Sequence, residues 1–257
     1  MCGIVGFTNY DGNMRNEEAG RVLSNMNNTL SKRGPDENGI YIKEDICIAH
    51  RRLIVIDPEG GKQPMICKYL GNTYVITYNG QIYNTRELRE TLEKSGFTFE
   101  GHCDTEVLLK AFIYYGYNVV NHLNGIFAFA IWNEGKKELF LARDHFGVKP
   151  LFYSIKDNQL IFASEIKALF EYPSIYPKID GQGIAELFGI GPAHTPGVGV
   201  FKGIEELKPA NYLVFNRSGM RIKEYWKLKS RMHTDDFATT CSTVKELLTD
   251  AIERQLV

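Results

Sequence analysis

Three features are scarce in this 257-residue sequence: long apolar runs, an excess of one charge, and paired cysteines. No apolar run approaches the roughly 20 residues that a transmembrane helix needs, so we expect no membrane partner. The 30 basic and 31 acidic side chains nearly balance without a Lys/Arg block, which argues against nucleic acid as a partner. The five cysteines are an odd number without Cys-x-x-Cys spacing, so neither a disulfide framework nor a metal site is expected. With no secretory signal at the N-terminus, they indicate the reducing cytoplasm.

The secondary-structure pattern of the remaining sequence predicts many short strands and few helices. Apolar or alternating segments predict strands within residues 2–8, 39–56 (two strands), 73–83, 127–132, 138–142, 151–155, 159–163, 211–215 and 221–226. Periodic stretches predict a helix capped by Asn16, a helix that begins at Asn84 with capping-box spacing to Glu87, a helix that Asp104 opens, and a short one over 184–188. Runs of strands broken by a pair of helices are typical of an α+β protein with mainly antiparallel sheets.

The character of the chain changes near its end. Residues 228–241 are polar and lack periodicity, as in a linker. Thr243 and Glu246 then have the spacing of a capping box, followed by apolar residues at helical spacing. We therefore predict a main domain over 1–227, a linker over 228–241, and over 242–257 the first helix of a further domain that is missing here.

The second residue offers unusual chemistry once Met1 is removed. A free N-terminal Cys2 carries a thiol and an α-amine whose reference pKa values, about 8.5 and about 8, are nearly matched. The amine can therefore take the thiol proton and later return it to a departing ammonia. The alternative is an ordinary buried cysteine in the first strand, and position 2 alone favours that alternative.

Seven motifs in a fixed order reverse this preference. They are residues 2–6 (CGIVG), 33–36 (RGPD), 50–57 (HRRLIVID), 78–84 (YNGQIYN), 103–106 (CDTE), 142–151 (ARDHFGVKPL) and 162–169 (FASEIKAL). Over nearly the whole chain this order closely resembles the class II glutamine amidotransferases. The last motif and the late strand pair ending in Tyr225-Trp226 resemble the branch of glutamine-dependent asparagine synthases. The resemblance implies a four-layer αββα N-terminal-nucleophile hydrolase sandwich of two mainly antiparallel sheets.

The resemblance also assigns catalytic roles. Cys2 is the nucleophile that attacks the side-chain amide of glutamine. The side-chain amide of Asn79 and the backbone N–H of Gly80 hold the oxyanion that this attack develops. Glycine permits close backbone approach and an unusual φ. On its own, Asn-Gly is equally typical of a two-residue β-turn.

Substrate recognition is implied at five further positions. Arg52 matches the arginine that binds the α-carboxylate of glutamine, and Asp104 matches the residue that receives its α-ammonium. The alternative for Arg52 is a solvated strand charge. The alternative for Asp104 is a helix N-cap, a role that is compatible with ammonium binding. Ile54 and Val55 match residues whose backbone borders the pocket, or are simply strand core. Gln81 departs from the many relatives that carry Glu there, so affinity for glutamine is expected to be weaker while the reaction survives.

Together these residues imply an enzyme domain that hydrolyses glutamine to glutamate and ammonia through a Cys2 thioester, without a cofactor. In the family, ammonia passes to a synthase domain that activates aspartate with ATP and magnesium. The Ser-Gly-Gly-x-Asp-Ser loop of that domain is absent, so we expect an excised domain or an interrupted gene product. Two alternatives stay open: the glutaminase domain of a purine or amino-sugar amidotransferase, and a non-catalytic glutamine-binding module. A homodimer is also left open.

Overall fold

The computed structural model describes residues 1–10, 12, 14–55, 57–191 and 193–256. The predicted strand end at Ile56 and the last residue of the predicted C-terminal segment, Val257, lie outside the described residues. The strands are β1 Gly3–Thr8, β2 Glu37–Lys43, β3 Ile46–Arg52, β4 Met65–Tyr69, β5 Asn72–Ile82, β6 Gly125–Asn133, β7 Glu138–Arg143, β8 Phe152–Lys156, β9 Gln159–Ala163, β10 Glu205–Glu206, β11 Asn211–Asn216 and β12 Gly219–Glu224. The helices are α1 Asn16–Asn28, α2 Thr85–Lys94, α3 Asp104–Tyr115, α4 Ile166–Leu169, α5 Gly181–Gly189 and α6 Phe237–Glu253, and a short 3-10 helix, Gly116–Asn121, follows α3.

The described strands form two six-stranded sheets in which neighbouring strands are antiparallel. The first sheet has the order β10-β8-β9-β1-β3-β2 and the second the order β12-β11-β7-β6-β5-β4. Because side chains alternate between the faces of a strand, each sheet can bury both of its faces. In β1, Ile4 joins the core between the sheets, whereas Val5 and Phe7 pack with the outer helix α1.

Helices cover both outer faces, which gives four layers. Leu23 and Met26 of α1 pack on the first sheet, as the predicted apolar face of this helix requires. Leu92 of α2 and Val107 and Leu108 of α3 pack on the second sheet. The predicted αββα sandwich is confirmed.

The helix starts correct three details of the prediction. The N-cap of α1 is Arg15, not Asn16, and makes no side-chain cap bond. Asn84 is the N-cap of α2, but its side chain bonds to the backbone of His122 and Asn124 instead, so it does not form a capping box. Asp104 is the first residue of α3, whose N-cap is Cys103, and the Asp104 carboxylate bonds to Tyr78 of β5.

Two strand predictions were also incomplete. The edge strand β4 was not predicted, since Met65–Tyr69 mixes apolar and polar residues over only five positions. The strand predicted to continue to residue 56 ends at Arg52, so Ile54 and Val55 lie outside it. Val55 is 76% exposed, which contradicts the strand-core interpretation of this residue.

The C-terminal helix begins earlier than predicted. The Asp236 carboxylate accepts the backbone N–H of Thr239, so α6 starts at Phe237 and residues 237–241 are helical rather than linker. Thr243 and Glu246 therefore lie inside the helix. No residue of α6 is buried among those described, and an ion pair from Arg254 to Glu87 on α2 joins the helix to the sandwich. That α6 opens a further domain stays a prediction.

None of the described helices is long and apolar enough to cross a membrane.

Candidate active site

A cleft of about 190 Å³ opens where the first residues of the chain meet the end of β3, the middle of β5 and the start of α3. The antiparallel pairing of β1 with β3 brings two of these segments together. Gly3 of β1 lies opposite Arg51 of β3, so Cys2 lies beside Arg52 and Leu53. Seven of the eight predicted site residues line the cleft: Cys2, Arg52, Val55, Asn79, Gly80, Gln81 and Asp104. Ile54 does not line the cleft.

Cys2 is held from two sides. Its Sγ accepts the backbone N–H of Leu53 at 3.4 Å and donates to the Leu53 carbonyl at 3.7 Å. Its carbonyl oxygen accepts Nε of Arg33 at 2.9 Å, and Arg33 pairs with Glu165 at 3.0 Å. The thiol is half-buried and faces the cleft, so Cys2 is not sealed in the core. Cys47 of β3 is the buried strand cysteine, and burial raises the pKa of its thiol to about 12.

Asn79 and Gly80 lie within β5, opposite Ala128 and Phe127 of β6, so the β-turn alternative is wrong. The Asn79 side chain is 2% exposed, and its Nδ2 has no hydrogen-bond partner among the described residues. A buried amide donor without a partner costs about 1–3 kcal/mol, so its placement indicates a ligand oxygen. At Gly80, a Cβ would lie 2.3 Å from the Ile126 carbonyl oxygen. Glycine is thus required by close packing in an extended strand, and not by an unusual φ.

Asp104 lies at the end of the cleft formed by α3. Its Oδ2 accepts the Tyr78 hydroxyl at 2.8 Å and the backbone N–H of Ile82 at 3.2 Å. Burial raises the pKa of the Asp104 carboxyl, and the bond from Tyr78 opposes this rise. A carboxylate that loses hydration in this way attracts a cation strongly. Asp104 can therefore receive an ammonium group.

Arg52 is buried and already binds protein groups. Its Nη1 pairs with Glu37 at 2.8 Å and donates to the Pro58 carbonyl, and its Nη2 donates to the Asp57 carbonyl. The solvated-charge alternative is therefore wrong. Arg52 holds the 57–64 loop and is also one of the residues that line the cleft, where its charge is opposite to that of a substrate carboxylate.

Sequence reasoning missed several residues at or near the cleft. Gln63 lines it, accepting the Tyr78 N–H at 2.6 Å and donating to Thr105 at 3.3 Å, and carried no motif signal. Tyr78 and the buried Lys149 also line it; both belong to predicted motifs, but neither was singled out.

The scaffold motifs have specific contacts. In the 33–36 motif, a Cβ on Gly34 would lie 2.3 Å from the Arg51 carbonyl, and the Asp36 carboxylate accepts the backbone N–H of Ile54. Ser164 in the 162–169 motif exchanges two hydrogen bonds with the backbone of Ile4, just after Cys2. These motifs therefore hold the chain segments next to Cys2 in space.

The described residues contain no group of three or more His, Cys, Asp or Glu that could hold a metal ion.

Two facing antiparallel sheets lie between helices, and a cysteine before the first strand lines the same cleft as an unpartnered amide. This is the class II N-terminal-nucleophile amidotransferase fold. The model of a family described as a glutamine amidotransferase domain matches residues 1–226, and the chain belongs to this family. Asparagine synthetase [glutamine-hydrolyzing] 3 of Bacillus subtilis (strain 168) is 47% identical over 257 residues, which cover 100% of this chain and 42% of that protein. Asparagine synthetase [glutamine-hydrolyzing] 1 of the same strain is 43% identical over 169 residues, 66% of this chain and 26% of that protein.

Solved structures agree on the fold. The allosteric regulatory enzyme of purine biosynthesis superposes with a TM-score of 0.64 at 22% identity, over 88% of this chain and 49% of that one. The glutamine phosphoribosylpyrophosphate amidotransferase of B. subtilis gives a TM-score of 0.62 at 20% identity, over the same shares of the two chains. The chain thus spans less than half the length of these relatives.

Proposed function

We propose that this chain hydrolyses the side-chain amide of glutamine to glutamate and ammonia, with Cys2 as the nucleophile. The observation that carries the proposal is the buried, unpartnered Nδ2 of Asn79 in the same cleft as the Cys2 thiol. A module that only binds glutamine needs neither an oxyanion donor nor a thiol at this point.

Glutamine binding uses two opposite charges at the cleft. Arg52 neutralises the α-carboxylate, and Asp104, oriented by Tyr78, receives the α-ammonium. The neutral Gln81 adds no charge, so Asp104 supplies most of the attraction for the ammonium. These contacts place the side-chain amide of glutamine against the thiol.

Removal of Met1 frees the α-amine of Cys2, which takes the thiol proton. The thiolate sulfur attacks the amide carbon, and the Asn79 amide and Gly80 N–H stabilise the resulting oxyanion. The C–N bond then breaks, the α-amine returns its proton to the leaving nitrogen, and ammonia departs from a γ-glutamyl thioester. Water attacks this thioester, the C–S bond breaks, and glutamate and the free thiol are released.

The relatives suggest a destination for the ammonia. We propose that it feeds a synthase domain that makes asparagine from aspartate, because asparagine synthetase 3 of Bacillus subtilis matches the full length of this chain. ATP and magnesium would belong to that domain, while the glutaminase reaction needs only groups of this chain. All five cysteines are free, which favours a reducing compartment, the cytoplasm.

The test measures glutamate and ammonia released from glutamine by the purified chain after mass spectrometry has verified removal of Met1. We expect turnover that Cys2→Ala abolishes and that Cys241→Ala, at an exposed cysteine on α6, leaves unchanged. A chain that retains one residue before Cys2 should be inactive, because its amine is then an amide. Absence of turnover from the processed chain would refute the proposal.

A further inference from the structure

The cleft contains a lysine that the glutamine reaction proposed above does not use. Lys149 lies in the segment between β7 and β8, is buried, and lines the cleft together with Met1 and Cys2. Its Nζ donates to Sδ of Met1 at 3.4 Å, and it forms no ion pair among the described residues. A thioether sulfur is a weak acceptor, so this buried ammonium lacks a strong partner.

The backbone on both sides of this side chain is held in place. The Lys149 N–H donates to Oδ2 of Asp144 at 3.0 Å, and the Lys149 carbonyl accepts Nε of Arg143 at 2.8 Å. The Asp144 carboxylate also accepts further backbone N–H groups, those of Phe127, Phe146 and Val148. Backbone donors thus occupy the lone pairs of this carboxylate, so it positions Lys149 and does not pair with the ammonium.

Removal of Met1, which the proposed reaction requires, takes away the acceptor that Nζ of Lys149 has in the cleft. The ammonium then lies at the end of the cleft where Cys2 lies. Burial lowers the pKa of Lys149 and the like charge of Arg33 adds to this, while Asp144 and Cys2 oppose it. An anion bound at this end of the cleft would offset the cost of keeping the ammonium charged.

The charged side chains that line the cleft are two cations and one anion: Arg52, Lys149 and Asp104. Zwitterionic glutamine carries one negative and one positive charge, which Arg52 and Asp104 neutralise in the proposed function. The α-amine of Cys2 is the neutral base of that reaction. The charge of Lys149 is therefore unmatched by glutamine. Glutamate has a second negative charge, at the γ-position that the proposed function sets against the Cys2 thiol.

We propose that Lys149 is a specificity-determining residue whose ammonium binds the γ-carboxylate of glutamate, so that the cleft holds this product more tightly than it holds glutamine. The inference rests on the proposed function, which sets the α-groups at Arg52 and Asp104. The γ-group is neutral in glutamine and in the thioester, and hydrolysis converts it into a carboxylate with release of one proton. Lys149 thereby makes glutamate an inhibitor of the reaction that forms it.

The first test compares ligands without changing the lysine. The Cys2→Ala chain, which cannot form the thioester, is titrated calorimetrically after mass spectrometry has verified removal of Met1. We expect L-glutamate to bind at least about tenfold more tightly than L-glutamine, because it adds a charge-assisted contact. The γ-methyl ester of glutamate, whose γ-group is neutral, should bind as glutamine does. Glutamate that binds no more tightly than this ester overturns the proposal.

The second test changes the lysine in the Cys2→Ala chain. Lys149→Met keeps the apolar stem and should weaken glutamate binding at least about tenfold, while glutamine binding stays within about threefold. Lys149→Arg keeps the charge and should retain the preference for glutamate. Lys156→Met, at an exposed lysine of β8, is the matched control. Equal weakening of both ligands in Lys149→Met, or a preference that this variant retains, overturns the proposal.

Inhibition of the native chain gives a third readout. Added glutamate should compete with glutamine, with an inhibition constant that Lys149→Met raises at least about tenfold while the KM for glutamine stays within about threefold. If the Cys2→Ala chain binds glutamate through Lys149 but the native chain releases no ammonia, the proposed function is refuted and the carboxylate site stands. If the native chain releases ammonia and added glutamate does not inhibit it, the carboxylate site is refuted and the proposed function stands.

Discussion

The hydroxyl of Tyr78 in β5 donates a hydrogen bond of 2.8 Å to Oδ2 of Asp104 in the first turn of α3. Tyr78 is buried in β5, and Gln63 holds its backbone N–H from the neighbouring loop. The tyrosine thus orients a carboxylate that burial would otherwise favour in its neutral form, because burial raises the pKa of Asp104. In the proposed reaction, recognition of the α-ammonium by Asp104 therefore depends on this uncharged neighbour as well as on the carboxylate.

Tyr78→Phe should therefore weaken glutamine binding more than it slows chemistry. A hydrogen bond to a charged group contributes about 1.5–3 kcal/mol, which corresponds to an increase in KM of roughly 10- to 100-fold. The value of kcat should change by less than about threefold, because the lost contact acts equally before and during the reaction. Steady-state glutaminase assays measure both constants. Tyr114→Phe on the exposed side of α3 is the control, and an unchanged KM in Tyr78→Phe would show that Tyr78 does not orient Asp104.

Asn79→Ala should have the opposite signature. Loss of one oxyanion donor is expected to lower kcat by about 10²- to 10³-fold with little change in KM. The fold should tolerate the change, since Nδ2 of Asn79 has no partner among the described residues. Asn72→Ala on the same strand removes side-chain bonds to Asn133 and Gly135 and should lower the melting temperature without lowering kcat. A large loss of stability in Asn79→Ala with native kcat would contradict the oxyanion role.

The sequence predicts most strands of the sandwich because β1, β6, β7 and β9 are mostly apolar runs, too short for typical helices and bounded by turn residues, and they are buried on both faces of their sheets. It does not predict β4. That edge strand is held by pairing with β5 through the backbone, and its side chains do not alternate clearly between polar and apolar. The intrinsic β-propensity of the residues is a weak predictor of such an edge strand.

Helix starts were predicted where a polar residue precedes an apolar period, but the predicted cap contacts do not form. Asn84 bonds to a distant loop, and Asp104 to Tyr78, because tertiary partners compete with the local N–H groups. For the site, the order of the motifs predicted that Cys2 and Asn79 share one site, and both residues line the cleft. Gln63 escaped prediction because its role arises from two side-chain bonds across the cleft wall, which no sequence spacing encodes.

Arg33 holds the backbone of Cys2, the proposed nucleophile. It donates to the Cys2 carbonyl and pairs with Glu165, yet it does not line the cleft. Arg33→Met should lower kcat by about 10- to 100-fold, since a small displacement of the thiol disrupts the reacting geometry, while KM stays within about threefold. Measurement of ammonia release at a series of glutamine concentrations gives kcat and KM. Arg86→Met, which breaks the exposed ion pair with Glu90, is the control. A rise in KM at native kcat would instead mean that Arg33 contacts the substrate.

His50 lies in β3 between the sheets and remains neutral over most of the acidic range. Its Nδ1 bonds with the Thr77 hydroxyl at 3.0 Å, while Nε2 is buried without a partner among the described residues. Burial, aided by the charge of Arg52, lowers the pKa of His50 to about 3. Protonation in the folded chain would leave a charged donor unsatisfied in the core.

The folded and the unfolded chain take up a proton at His50 at different pH values, so this residue makes the free energy of unfolding depend on pH. The unfolded chain takes up a proton at His50 as the pH falls through about 6.5, whereas the folded chain does not until about pH 3. The free energy of unfolding is therefore unaffected by this group above pH 6.5 and decreases as the pH falls towards 3. Between pH 7 and pH 5 the native chain should lose about 2 kcal/mol more than His50→Gln does. Urea unfolding at pH 7, 6 and 5 measures the difference, with the exposed His233→Gln as control. Equal losses in the native chain and in His50→Gln would mean that His50 accepts a proton in the folded core.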